Sequence, residues 1–296
     1  MGEYNSDSRR TVEMSSTKKI ILAVLAHPDD ESFGMGGTLA YYSSQGVAVH
    51  LICATRGEAG TVDPEFLEKH SDIASLREEE LRCAAKTLGL TSVMFLGYRD
   101  SGMAGSKDNV HPNSLVSAPI DQVTEKIVKE IRKLKPQVVL TFDPVGGYHH
   151  PDHIAVHNAT VKAFHAAGDI NQFPNAGEPF QPEKLYYNAL NRRRLRWIVR
   201  MMRISGMDPR RVGRNEDIDL TVLARDKDTP PHVSINYRSV EKLKHQADAC
   251  HASQLDGRFT RFSLMELYWR LMGRRDTFTR AYPPAADDFR SMDLFI

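Results

Sequence analysis

The stretch KKIILAVLAHPDDESFGMGG, Lys18 to Gly37, decides the fold. Its first half is apolar almost without interruption, and His27, Asp29, Asp30 and Glu31 follow directly behind. A strand that is apolar at every position is buried on both faces, as strands are in a parallel sheet covered by helices. In open sheets of that kind the ligand crevice lies beyond the carboxyl ends of the strands. The polar cluster therefore falls where such a fold does its chemistry.

Outward from this stretch the pattern repeats. GMGGTLAYYSSQG reads as a helix closed by Gly46, VAVHLICAT as a second strand, and SDIASLREEELRCAAKTLG as a helix capped by Ser71 or Asp72 and stopped at Gly89. SVMFLGY is a third strand. After a Gly/Ser/Asn/Pro-rich loop from Arg99 to Ala118, a helix begins at Pro119 with Ile120, Val123, Ile127, Ile131 and Leu134 on one face, and QVVLTF is the fourth strand. Apolar strands alternating with amphipathic helices predict a Rossmann-like, doubly wound α/β fold with a mainly parallel sheet. Farther on, KLYYNAL and HVSINYR read as strands, and SVEKLKHQADACHASQ and RFSLMELYWRLMG as helices. No Gly/Ser-rich or Pro-rich linker separates them from the first half, so residues 18–296 are expected to form one domain, with a core at 18–190 and lid and completing elements at 191–296. Residues 1–17 read as a disordered leader without the apolar segment of a signal peptide.

Composition narrows the function classes. The chain has 296 residues, 41% hydrophobic and 26% charged, with a formal net charge of +1. This builds a full core but no field that attracts nucleic acid or an acidic membrane. No apolar run approaches the about 18 residues of a membrane span. Cys53, Cys83 and Cys250 are odd in number and form no CxxC pair, which predicts reduced thiols and a cytoplasmic protein. A homo-oligomer is left open.

A second cluster, DPVGGYHHPDH from Asp143 to His153, follows the fourth strand at the equivalent edge. Together the two clusters offer imidazole and carboxylate donors suited to zinc or another borderline divalent metal, iron, cobalt and manganese included. A metal on two His and one carboxylate makes a nucleophile of water near neutral pH, and the neighbouring carboxylate is left to act as general base. Glu31 is either part of this cluster or a first-turn helix acid. His153 and His157 have zincin-like spacing, but Ile154 stands where that motif needs Glu, so His157 reads as structural. GMGG lacks the third glycine of a dinucleotide fingerprint. His111, His165, His232 and His245 group with nothing. RRRLRWIVRMMRISGMDPRRVGR, Arg192 to Arg214, reads as a solvated helical face packed through Trp197, Ile198 and Met201, or as a substrate-covering lid.

AHPDDE with a distant HPDH resembles the LmbE-like or PIG-L family of zinc-dependent N-deacetylases. The likeness extends to TRGEAG, LREEEL, YRDSGMAG, KPQVVLTFDP, GEPFQPEKLYY and HASQ. Within that family it is similar to the mycothiol deacetylases and mycothiol-conjugate amidases. The resemblance implies zinc on His27, Asp30 and His153, with Asp29 as general base. It implies His150 as an acid or electrostatic catalyst held by Asp152, and Tyr148 near the oxyanion. Arg77 and Asp100 would contact the sugar or its aglycone. His149 departs from the pattern, where a small residue or Pro is expected, and Arg192 to Pro231 matches nothing in it. The expected activity is metal-dependent removal of an N-acetyl or related N-acyl group from a small glucosaminyl substrate. Cleavage of mycothiol-type thiol conjugates and a non-catalytic glycan- or nucleotide-sugar-binding module are the alternatives.

Overall fold

The computed structural model describes residues 18–190, 192–213, 218–226, 230–255 and 274–296. The expected leader and the expected helix RFSLMELYWRLMG lie outside these residues. Chain order runs β1 (Ile20–Leu25), α1 (Asp30–Ser44), β2 (Ala48–Thr55), α2 (Ile73–Leu88), β3 (Ser92–Tyr98), α3 (Ile120–Leu134), β4 (Val138–Thr141), α4 (Gly146–His149), α5 (Pro151–Ala166) and β5 (Lys184–Asn188). Then follow α6 (Arg192–Ile204), α7 (Leu220–Leu223), β6 (Val233–Asn236), α8 (Glu241–Cys250) and β7 (Arg275–Tyr282).

The strands form one 7-stranded sheet in the order β3-β2-β1-β4-β5-β7-β6. Pairings from β3 to β5 are parallel, and β7 runs antiparallel between β5 and β6. The sheet is thus the expected mainly parallel α/β type, with Ile21 to Leu25 and Val138 to Leu140 buried in its centre. The strand order reverses where β1 lies beside β4, and a doubly wound sheet opens its crevice at that reversal. Both polar clusters follow these two strands.

β7 carries no strand signal in the sequence. Its residues Arg275, Asp276 and Arg280 break the apolar run, and Phe278 alone is its large fully buried anchor. The helix after β1 begins at Asp30, inside the polar cluster, and is kinked at Met35. Gly37 there faces the Tyr237 ring so closely that a Cβ would lie 2.2 Å from it, which accounts for glycine in GMGG. α2 matches its expectation, with an Asp72–Ser75 capping box and a left-handed Gly89 at its end.

The cysteine expectation needs correction. Cys83 on α2 and Cys250 at the end of α8 are disulfide-bonded across a separation of 167 residues, and Cys53 alone is free and buried. Spacing in the chain says nothing about this pair, because the packing of α2 on α8 brings the sulfurs together.

Candidate active site

β1 delivers His27 two residues past its end, and β4 delivers the loop from which α5 starts. His27 Nδ1 lies 3.5 Å from Asp30 Oδ2 and 3.3 Å from His153 Nε2, while His153 Nε2 lies 3.2 Å from Asp30 Oδ1. These edges match a tetrahedral site with metal–ligand bonds of about 2.0–2.2 Å. The outer nitrogens are already engaged. His27 Nε2 donates to Asp152 Oδ2 at 3.1 Å, and His153 Nδ1 donates to the Gly146 carbonyl at 3.2 Å. In neutral rings the two facing nitrogens then carry lone pairs 3.3 Å apart with a carboxylate beside them, an arrangement that a cation satisfies. His27, Asp30 and His153 therefore fit a divalent metal. His150 completes a second buried group with His27 and His153.

Local structure explains the placement. Asp30 opens α1, and its Oδ2 accepts from the backbone N–H of His27 at 2.7 Å and of Ala26 at 3.2 Å. Phe142 stacks flat on the His153 ring, 3.9 Å between centroids and 9° from parallel. Gly146 has φ 67° and touches His153 and Ile154, leaving no space for a side chain.

Asp29 adopts φ 128° and ψ −29°, and its carboxylate meets the Arg77 guanidinium. Burial raises it to about 6; the Arg77 guanidinium opposes this and Asp30 adds to it. Arg77 donates from Nη2 to Asp29 Oδ2 at 2.9 Å and from Nη1 to the Gly57 carbonyl at 3.1 Å. A Cβ on Gly57 would collide with this guanidinium at 2.0 Å, so TRGEAG is shaped around Arg77. The expected substrate-binding Arg77 is thus found holding the expected base.

The histidine loop departs from expectation at Asp152. Its carboxylate does not hold His150: Oδ2 accepts from His27 and from the Ser101 N–H at 2.9 Å, and Oδ1 has no partner. The α5 helix start turns that carboxylate towards β1, and only its backbone N–H reaches His150, donating to Nδ1 at 3.2 Å. Burial, with His27 and His153 adding to it, pushes His150 down to about 2. With Nδ1 accepting, the neutral ring carries its proton on Nε2. Asp100 likewise faces His27, 3.5 Å from Nε2, and accepts from the Gly102 N–H. Burial raises the Asp100 carboxyl, but His27 outweighs this and holds it far below the usual carboxylate range. Ser101 is the contributor that motif reading missed; its backbone acts, and no side-chain pattern signals that.

Tyr148 sits edge-on to His150 and His153, with ring centroids 5.7 and 5.0 Å away. Burial, with the Asp30 charge in support, pushes its phenol well above the ordinary range and keeps it protonated. It packs on a small apolar cluster of Leu195 and Val199 from α6, Leu223 from α7 and Ala224 directly after it. Arg192, buried at the start of α6, pairs with Asp143 at 3.2 Å. The segment read as a solvated face or a lid thus covers the histidine loop. His149, at φ 66°, turns away from the ligands and bonds Asp226 beyond α7 at 2.9 Å. His157 donates to the Phe142 carbonyl at 2.9 Å, the structural position expected of it. Glu31 is buried and bonded inside the cluster.

A sequence profile described as GlcNAc-PI de-N-acetylase, PIG-L, matches residues 22–164. The 1D-myo-inositol 2-acetamido-2-deoxy-alpha-D-glucopyranoside deacetylase of Acidothermus cellulolyticus is 36% identical over 294 residues, 93% of this chain and 94% of that protein. The protein of the same name from Streptomyces scabiei is 41% identical over 181 residues, 58% of this chain and 56% of its own length. Among solved structures, N,N'-diacetylchitobiose deacetylase from Pyrococcus horikoshii aligns with TM-score 0.61 at 20% identity, covering 89% of this chain and 84% of that one. This last likeness concerns the fold alone.

Proposed function

The chain belongs to the PIG-L family of de-N-acetylases, and from that premise we propose that it is a zinc-dependent hydrolase removing the N-acetyl group of a glucosaminyl-inositol-type substrate. The observation that carries this reading is the pair of facing imidazole nitrogens, 3.3 Å apart and closed by Asp30, with Asp29 paired to Arg77 instead. His27, Asp30 and His153 would hold the metal. When bound, it polarises the amide carbonyl and lowers the pKa of water towards about 7.

The protein's own groups carry the remaining steps. Asp29 accepts the proton of the attacking water as oxygen bonds to the amide carbon. His150, neutral at working pH, donates a hydrogen bond from Nε2 to the developing oxyanion, and the Tyr148 hydroxyl is a second donor nearby. Asp29 returns the proton to the amide nitrogen, the C–N bond breaks, and acetate leaves a free amine. Asp152 and Asp100 orient His27.

A cavity of about 490 Å³ between the end of β3 and the start of α3 is lined by Glu58, Tyr98, Arg99, His111, Asn113 and Gln122 and by none of the His27, Asp30 and His153 group. Glu58 also accepts from the Asp100 N–H at 3.0 Å, which joins the cavity to the site. Its polar lining suits a polyhydroxy aglycone, and we assign it that part of the substrate. Among the described residues no helix is long and apolar enough to cross a membrane.

Acetate and primary-amine release from N-acetylglucosaminyl-inositol, N,N'-diacetylchitobiose and a thiol conjugate, by zinc-loaded protein, tests the reading. Acetate from the inositol glycoside is expected. Stoichiometric zinc with no product from any of them overturns it, and release from the conjugate alone selects the amidase.

A further inference from the structure

Asp29 is not glycine, yet it holds φ 128°. A side chain in such a backbone is strained and persists only where its surroundings over-determine it. Its carbonyl accepts from Ser32 and Phe33 N–H groups at 3.0 and 2.9 Å, the ordinary first bonds of α1. Its own N–H points the other way and donates to Glu31 Oε2 at 3.0 Å. That bond fixes the unusual peptide.

Glu31 is completely buried. A buried carboxylate is tolerated only when its oxygens are hydrogen-bonded. Oε1 receives the Ser32 hydroxyl at 2.6 Å and His251 Nε2 at 2.7 Å. Ser32 is a sequence neighbour that follows the helix. His251 comes from 220 residues away, in the turn after α8, and is itself fully buried. The same turn is anchored separately: Ser253 donates from its backbone N and its hydroxyl to Glu80 on α2, both at 2.7 Å. Burial works against a charged His251, but the Glu31 carboxylate outweighs it and raises the imidazole, so Nε2 keeps its proton.

We propose that His251 is a positioning residue for the base: through Glu31 it holds the Asp29 peptide in its left-handed conformation and so aims the Asp29 carboxylate at the reacting centre. This rests on the reading of Asp29 as general base. Without the His251 donor, Glu31 loses a partner on Oε1 and turns to another. That change frees the Asp29 N–H and lets the backbone relax. A displacement near 1 Å at a reacting group costs about 100-fold in rate.

Zinc-loaded His251→Leu, His251→Gln, His251→Asn and Ser253→Ala proteins test this with N-acetylglucosaminyl-inositol. His251→Leu is expected to lower kcat about 10–100-fold with KM and bound zinc unchanged. His251→Gln, whose amide nitrogen replaces Nε2, recovers most of kcat, and His251→Asn, which replaces Nδ1, does not. Ser253→Ala lowers Tm and leaves kcat near wild type. Wild-type kcat in His251→Leu overturns the inference, as does an equal kcat loss in the Gln and Asn variants or in Ser253→Ala. A crystal structure of zinc-loaded His251→Leu decides it without turnover: departure of Asp29 from φ near 128° supports it, and retention overturns it. A wild-type protein without deacetylase activity defeats the deacetylase reading, and that structure then decides the inference alone.

Discussion

Arg77 Nη2 lies 2.9 Å from Asp29 Oδ2, with both residues tucked between the end of β1 and the first turns of α2. Burial favours a protonated Asp29 and the guanidinium favours the carboxylate, leaving it at about 6. A general base works only when deprotonated, so kcat/KM is expected to fall as pH drops through about 6. Arg77→Met removes the opposing charge and moves this acid limb upward by about one pH unit or more. Asp29→Asn lowers kcat about 100-fold to 10,000-fold while zinc stays bound. A pH–rate profile of the three proteins checks both statements, and an acid limb unmoved in Arg77→Met contradicts the first.

On the proposed ligand set, Asp152 sets metal affinity through His27. Asp152→Asn removes the charge 3.1 Å from His27 Nε2, and zinc affinity is expected to fall about 10–100-fold. Competition against a chromophoric chelator measures this. The loss of activity is then recovered at saturating zinc.

The buried Arg192–Asp143 pair ties α6 to the histidine loop. Removing one partner of such a pair leaves a buried charge and costs about 3–5 kcal/mol. Arg192→Met is expected to show that loss in urea unfolding, together with a raised KM as Tyr148 loses its backing. An unchanged midpoint would count against the pairing.

Cys83 and Cys250 close a loop of 167 residues. Cys83→Ser is expected to lower stability by about 2–4 kcal/mol. Intact-mass measurement after alkylation, with and without reductant, shows whether the two thiols are consumed, and urea unfolding gives the magnitude.

Much of this molecule is legible along the chain because its signals are local. The apolar run before His27 and the helical periods of α2 and α3 each need only a short window of residues. The same holds for the two donor clusters: His27 and Asp30 are neighbours, and His153 lies in a motif at the next strand end, while the choice of these three as metal ligands comes from the family resemblance. What failed to show were relationships across the sheet. Arg77 is read as a sugar contact because its motif carries no direction, whereas α2 packs so that its guanidinium reaches Asp29. Asp152 is read as the partner of His150 because they are adjacent, yet the first turn of α5 turns the carboxylate towards His27. β7 hides because its polar residues alternate too loosely to resemble a core strand.

The sequence by itself determined the parallel sheet, the two polar strand ends and the chemical identity of the donors, since periodicity and residue type are properties of the chain. The tertiary structure decided which donor faces which. It placed β4 beside β1, bonded Cys83 to Cys250 and brought His251 against Glu31. The physical reason is that a hydrogen bond or a metal triangle requires atoms to meet within about 3 Å. Residues 126 and 220 positions apart, as His27 and His153 or Glu31 and His251 are, acquire that proximity only when strand order and helix packing are complete.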